Sequence, residues 1–403
     1  MVEIKLTLLI RLGEALHFYG TSAPRIEAAL SKLAEGLGLK GHFFSTPTFL
    51  TIAIDQEHGQ ILRQIRIQPG EINLYKLTLV DQVGDQVLDG SLTIEKAIKR
   101  LSEIEKAPSH FSFLQTLLAF VFTSVALALI FKGSYFDSFV SGVVGLTVGF
   151  SFLKAQEWEN TRHLDLFLSA FFAGIVASIF KSFFIDIHLG ICIISGLIVL
   201  IPGLSLTVGL TELATQNLAS GTARMMGAMT AFLKLGFGAY LGVFIISKFL
   251  PTVYLNSPVI TQINSPLIII TAIFVIGIGL SILFKNSINQ MPITIGSALF
   301  SFTASFLATR YIELELGVII TSIGIGALSN LYAKRFNRPA TTTILPSIIL
   351  LVPGSIGFKG FNFLLGHNFS QGLESGLTMF MTAIAIVVGL FIGNLIIPPR
   401  RAL

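Results

Sequence analysis

Two hydrophobic patterns divide the chain near residue 110. Before it, apolar and polar positions mix with the periods of small soluble elements; from Phe111 onward, apolar runs of membrane length dominate. In the first part, residues 4–19 carry apolar side chains at helical spacing until Gly20-Thr21-Ser22 interrupts them. Pro24 in a first turn, with Ser22 as cap, predicts a second helix to Leu37, stopped by Gly38 and Gly41. Residues 43–54, 61–67 and 72–80 read as strands, separated by turn formers such as Glu57-His58-Gly59, and residues 92–105 return to helix. Residues 1–110 are therefore expected to form one α+β domain. Its opening apolar patch is short and soon meets Arg11 and Glu14, unlike a secretory signal, which places this head in the cytoplasm.

A hydrocarbon core of about 30 Å needs roughly 20 apolar residues per helix. On that measure spans are expected near 111–131, 138–153, 164–180, 187–204, 225–248, 265–284, 291–309, 315–333, 341–357 and 376–397. These make ten transmembrane helices in two sets of five, residues 111–250 and 251–403. With the head inside, nine Lys/Arg fall on inner loops and tail (Arg224, Lys285, Arg400 and Arg401 among them) against five outside, such as Lys181 and Lys248. That balance favours a cytoplasmic head.

The two sets resemble each other. At a constant offset of 151, Pro202-Gly203 matches Pro353-Gly354, Asn217 matches Asn368, and Gly238-x-x-x-Gly242 matches Gly389-x-x-x-Gly393. Gly209, Leu213 and Gly221 also recur. With five spans per unit, the second would enter the membrane from the opposite side, giving inverted repeats, an arrangement common in secondary transporters. Pro-Gly inside an apolar run breaks a helix, and the freed backbone groups cost several kcal/mol in hydrocarbon unless protein or water satisfies them. A matched pair of breaks therefore points to a substrate site near the midplane; a packing kink is the plainer alternative. The small-xxx-small pairs read as packing seams.

Composition sharpens this picture. Of the residues 53% are hydrophobic and 12% charged, the mean hydropathy is +0.79, and the net charge of +5 carries no dense basic patch, which argues against nucleic-acid binding. The single cysteine, Cys192, allows no internal disulfide and reads as an inert buried thiol. No metal set, cofactor loop or catalytic triad is visible; His17, His42 and His58 with Ser45 have no hydrolase spacing. Charges in or beside spans are candidates by default, and Glu212, Arg224 and Lys234 are the three that stand out. Glu212 and Gln216 share a helix face, with Asn217 alongside. Lys234 is expected to pair with a carboxylate, Glu212 first, or to face water. His188 and His367 read as interfacial.

Several stretches resemble the threonine/serine exporter family. Gly20-Thr21-Ser22-Ala23-Pro24-Arg25-Ile26-Glu27 followed by Ser45-Thr46-Pro47-Thr48 is similar to its amino-terminal segment. Ile201-Pro202-Gly203 through Gly221-Thr222-Ala223-Arg224 resembles its signature after the fourth span, and Pro346 with Val352-Pro353-Gly354 resembles its small five-span partner proteins. The likeness covers nearly the whole chain. Thr21-Ser22-Ala23-Pro24 departs from the acidic residue, threonine and tyrosine expected before the Arg. The resemblance implies a non-enzymatic, proton-coupled exporter of threonine- or serine-like amino acids in the cell membrane. A dicarboxylate exporter and a membrane-anchored sensor or assembly protein are the alternatives. Expected partners are the amino-acid substrate, protons and lipid, with homo-oligomerisation left open. The site residues expected on this reading are Pro202, Gly203, Glu212, Gln216, Asn217, Arg224, Lys234, Pro353, Gly354 and Asn368.

Overall fold

Helical spacing of leucines builds the head. In the computed structural model, helix α1 (Val2–Phe18) buries Leu8, Leu9, Leu12 and Leu16, and α2 (Ala23–Gly36) buries Ile26, Leu30 and Leu33. Each set lies on one face. They cover an antiparallel sheet of order β1-β2-β3: β1 (Gly41–Thr46), β2 (Phe49–Gln56) and β3 (Gly59–Arg66). Alternate residues Leu50, Ile52 and Ile54 of β2 are fully buried. A methyl group at Gly13 would come within 2.7 Å of a Leu50 methyl, so α1 rides directly on β2. The structure describes residues 2–68, 70–158, 160–184, 186–250, 265–351, 354–365 and 368–399. Pro353, Val352, His367, Arg400 and Arg401 lie outside them.

Two expectations for the head change. Residues 43–54 form two strands instead of one, because Pro47-Thr48 turns the chain between Thr46 and its partner Phe49. Residues 72–80 are not a strand but the start of α3 (Leu74–Leu88), followed by α4 (Ile94–Lys106). The Asn73 side chain accepts from the Lys76 amide at 3.0 Å and starts that helix. Leu74, Leu77, Val80 and Val83 continue its buried face, at a spacing a nine-residue window is too short to separate from alternation.

The remainder is a polytopic helical membrane domain. Its long helices are α5 (Phe113–Ile130), α6 (Tyr135–Glu157), α7 (Asp165–Phe183), α10 (Leu218–Phe249), α11 (Pro266–Leu283), α12 (Met291–Tyr311), α13 (Leu314–Phe336) and α16 (Phe369–Ile396). One interrupted pair, α8 (Leu189–Leu197) with α9 (Gly203–Ala214), precedes α10, and α14 (Thr341–Leu351) and α15 (Gly354–Leu365), on either side of residues 352 and 353, precede α16. Among the described residues nine helical stretches are long and apolar enough to cross a membrane, where ten were expected. The difference is at residues 187–204, whose helix stops at Leu197 and resumes only at Gly203. The starts of α10 and α16 are separated by the same offset of 151 as the sequence matches.

The head grips the end of the bundle where α5 begins. The amides of Leu74 and Tyr75 donate to the carbonyls of Phe284 and Lys285 at 3.0 and 3.2 Å, and Lys285 pairs with Glu71. Unsatisfied amides at the start of α3 thereby cap unsatisfied carbonyls at the end of α11. Buried Ala126, Ala272 and Leu280 of the spans are continuous with the apolar core of the head. At the opposite end of the bundle, His188 before α8 binds Asp137 in the first turn of α6.

Glycine seams hold the long helices together. A methyl at Gly238 would come within 2.5 Å of the Phe167 carbonyl of α7, and one at Gly393 within 2.7 Å of the Ile323 carbonyl of α13. These are backbone contacts that no side chain can relieve. Gly238→Val is therefore expected to destabilise the α7–α10 pair by about 1–3 kcal/mol through overpacking. Thermal unfolding in detergent checks this against Gly227→Val on the same helix, where a methyl meets nothing within 4 Å.

Candidate functional site

The first break begins with Pro202, which has no amide hydrogen and stands at the cap position of α9 with φ −79° and ψ 34°. The chain turns between Leu197 and Gly203, and Gly203 opens α9. Of the second Pro-Gly pair, Pro353 lies outside the described residues and Gly354 is in α15. Gly354 meets the first break. A methyl at Gly354 would lie 2.7 Å from Ile201 Cγ2 and 3.7 Å from Gly203 Cα, so the glycine permits the contact. Beside it is a cavity of about 90 Å³ lined by Ile198 and Val199 of one break, Ile349, Leu350 and Ser355 of the other, and Thr123 of α5. Thr123 Oγ1 is buried there with no hydrogen-bond partner among the described residues. A hydroxyl in that position asks for water or a ligand.

From the break, α9 runs toward the head and delivers Glu212, which is fully buried. Four donors converge on its carboxylate: Arg224 Nε and Nη2, each at 3.1 Å, Ser220 Oγ at 2.9 Å, and the Ala23 amide at 3.0 Å. The fork-shaped guanidinium pair is the strong form of this interaction. Ala23 is the first residue of α2, and Ser22 makes no side-chain cap, contrary to expectation. A carboxylate from the membrane domain occupies that role, where the helix dipole favours negative charge.

The turn that brings Arg224 back to Glu212 explains two other expected site residues. Gln216 takes the left-handed conformation (φ 66°), and the Asn217 amide donates to the Glu212 carbonyl at 2.8 Å, reversing the chain into α10. Asn368 does the same before α16, donating to Phe363 at 2.8 Å. Lys234 does not pair with Glu212. Its ammonium donates to the His163 carbonyl at 2.8 Å, at the loop end of α7. The reason is the length of α10, 32 residues or about 48 Å, which exceeds the ~30 Å hydrocarbon, so its first turns stand on the head side. Glu212 and Arg224 are thus at the head-facing end of the bundle.

Between head and bundle is a polar cavity of about 270 Å³, lined by His17, Thr21, Leu204, Ser205, Val208 and Arg224. His17 Nε2 lies 2.8 Å from the Thr46 carbonyl, so Nε2 carries the hydrogen and Nδ1 is an acceptor. Nδ1 and the Thr21 hydroxyl are both buried without partners among the described residues. Burial pushes the imidazole below its ordinary range; the Thr46 carbonyl opposes this and Arg224 adds to it. The cavity thus presents a guanidinium, a neutral imidazole and two hydroxyls. Among the described residues no group of three His, Cys, Asp or Glu could hold a metal.

Sequence reasoning missed Asp137, although Ser134-x-x-Asp137 was legible as a capping box. Asp137 is fully buried and accepts from the Ser134 amide and hydroxyl and from the His188 amide and ring, all at 2.8–3.0 Å. Cys192 is buried against it. Arg25 and Glu27 of α2 have internal partners: Arg25 pairs with Asp81, and Glu27 accepts from the Ser45 amide.

Two family models cover this architecture. One, described as "Putative threonine/serine exporter", matches residues 7–246, the head with the helices through α10. The other, "Threonine/Serine exporter, ThrE", matches residues 267–396, from α11 to α16. The chain belongs to the threonine/serine exporter family. Curated relatives of this exporter-family chain include an uncharacterized protein of Schizosaccharomyces pombe, 28% identical over 97% of this chain and 55% of the relative. Pheromone-regulated membrane protein 10 of Saccharomyces cerevisiae is 25% identical over 97% and 54%, and that of Kluyveromyces lactis 24% over 97% and 43%. The chain spans about half the length of the curated relatives it matches. No solved structure matches it.

Glu212→Gln keeps the shape of the knot but leaves Arg224 without its counter-charge. Breaking a buried pair costs about 3–5 kcal/mol; with the Arg224 side chain 23% exposed, roughly 2–3 kcal/mol is expected here. Faster hydrogen exchange at residues 20–30, with the α7–α10 seam unaltered, is the expected readout.

Proposed function

We propose that this chain exports small hydrophilic amino acids of the threonine/serine type, coupled to the proton gradient. The contact of Gly354 with the first break carries the reading, because it brings the two matched Pro-Gly segments to one point beside an unsatisfied hydroxyl and a small cavity. The proposed path runs from the head-facing cavity along α9 to that contact. Matched breaks where two similar units meet are the usual setting of a transporter substrate site.

An inverted relation of two five-helix units fits the arrangement of ends. Helix α5 starts at the head, whereas α11 finishes there, held by Leu74 and Tyr75. Counting each interrupted pair as one crossing makes five per unit, ten in all, with a cytoplasmic head and with α10 and α16 in equivalent places. The family supports export of threonine- or serine-like substrates.

In this reading the Glu212–Arg224 pair is a gate that a zwitterion opens by exchange. The ammonium of an amino acid replaces Arg224 at Glu212 while its carboxylate replaces Glu212 at Arg224, so neither buried charge is left unpaired. Protonation of Glu212 would release the same pair and provides the coupling step. Lys234, at the edge of the bundle, sets electrostatics near the entrance.

Counterflow in proteoliposomes against threonine, serine and succinate, with and without an imposed pH gradient, tests the proposal. Uptake of threonine and serine that rises with the gradient is expected, as is at least about a tenfold loss in Glu212→Gln, equivalent to 1.4 kcal/mol. Counterflow of succinate alone would transfer the reading to dicarboxylates, and none at all would favour a membrane-anchored sensor.

A further inference from the structure

The head holds a second polar cavity, of about 380 Å³, that the proposed path does not use. Its size is within the usual range for small-molecule sites. Arg11 and Glu14 of α1, Tyr19 just after it, Arg66 at the end of β3, Lys76 of α3 and Glu105 of α4 line it. Its charges are mixed and weakly paired. Arg11 sits between Glu14 and Glu105 at 4.0 and 3.9 Å, the long limit of an ion pair. Arg66 makes no ion pair to any described residue, although it is a guanidinium beside a second cation. Lys76 donates to the carbonyls of Glu105 and Ala107 at 3.0 and 2.7 Å and has a third hydrogen left over. Burial lifts the Glu14 carboxyl above its usual range; Arg11 opposes this and the Glu105 carboxylate adds to it.

We propose that this cavity is a regulatory site for a free α-amino acid, with the carboxylate held by Arg66 and Lys76 and the ammonium by Glu14 and Glu105. A simple anion would meet two carboxylates and a simple cation would meet three cations; a zwitterion satisfies both sets. The guanidinium fork and the lysine suit a carboxylate, and the short acids suit an ammonium.

The position of the cavity connects it to the membrane domain at three joints. Tyr19 is four residues before Ala23, whose amide holds Glu212. Lys76 is next to the Leu74–Tyr75 amides that hold the end of α11. Glu105 and Ala107, fixed by Lys76, lead into α5. A ligand that draws α1, α3 and α4 together acts on all three, and a small shift there biases the Glu212 knot.

The binding test uses the full chain in detergent, titrated calorimetrically with threonine, serine, acetate and ethylamine. It requires no transport, so its failure is distinguishable from failure of the exporter reading. Saturable binding of the amino acids is expected, with acetate and ethylamine at least about tenfold weaker. Arg66→Gln should weaken amino-acid binding by about tenfold or more, the scale of a lost charge-assisted hydrogen bond. Glu14→Gln should erase the preference over acetate, and Arg63→Gln, on the same strand outside the cavity, should change nothing. Saturating threonine should also alter hydrogen exchange at residues 20–26. The proposal is overturned if no amino acid binds, if acetate binds equally well, if binding survives Arg66→Gln and is lost instead in Arg224→Gln, or if exchange at residues 20–26 is unmoved.

Discussion

The Glu212 carboxylate is fully buried, and its four donors come from three places in the chain: the start of α2, Ser220, and Arg224 in the second turn of α10. A lone carboxylate in that setting would cost many kcal/mol and would neutralise instead. Much of the remaining architecture follows from satisfying it. The α9–α10 hairpin must reverse within three residues so that Arg224 reaches back, hence the left-handed Gln216. The head must also seat with the first amide of α2 over the hairpin, which closes a polar cavity against α9. The same contact satisfies the Ala23 amide at the start of a helix whose Ser22 makes no side-chain cap.

The hydrocarbon imposes the second constraint. Interrupted helices expose backbone groups that lipid cannot satisfy. Packing the first interruption against α15 covers it with protein, and Gly354 with Gly203 permits the approach. Glycine seams between α7 and α10 and between α13 and α16 hold the long helices beside them, so that the breaks are flanked by closely packed pairs. On the face away from the head, the Asp137–His188 contact ties the starts of α6 and α8, so the first interrupted helix is anchored at both ends.

The legible parts of the fold share a cause. The membrane class, the seams and the break at Pro202-Gly203 were readable because apolar length, glycine spacing and proline sterics act within a few residues of one another. Glu212 and Arg224 were readable as costly charges in apolar surroundings. The error at Lys234 is equally instructive. Spacing along the chain placed it inside a span, but α10 begins before the membrane and carries Lys234 to the level of His163. Residues 72–80 failed for a related reason, since alternation over nine residues does not exclude a helix that Asn73 starts.

The sequence by itself determined that this is a membrane protein with an α+β head, a Pro-Gly break after the third span and glycine seams, because each depends on local sterics or on the apolar length of one segment. Only the tertiary structure decided that Gly354 touches that break, that Glu212 belongs to Arg224 and Ala23, and that α3 caps α11. Those pairings join segments up to 189 residues apart, as Ala23 and Glu212 are. Periodicity carries no information about them, because which buried charge meets which donor is settled by how the whole bundle packs.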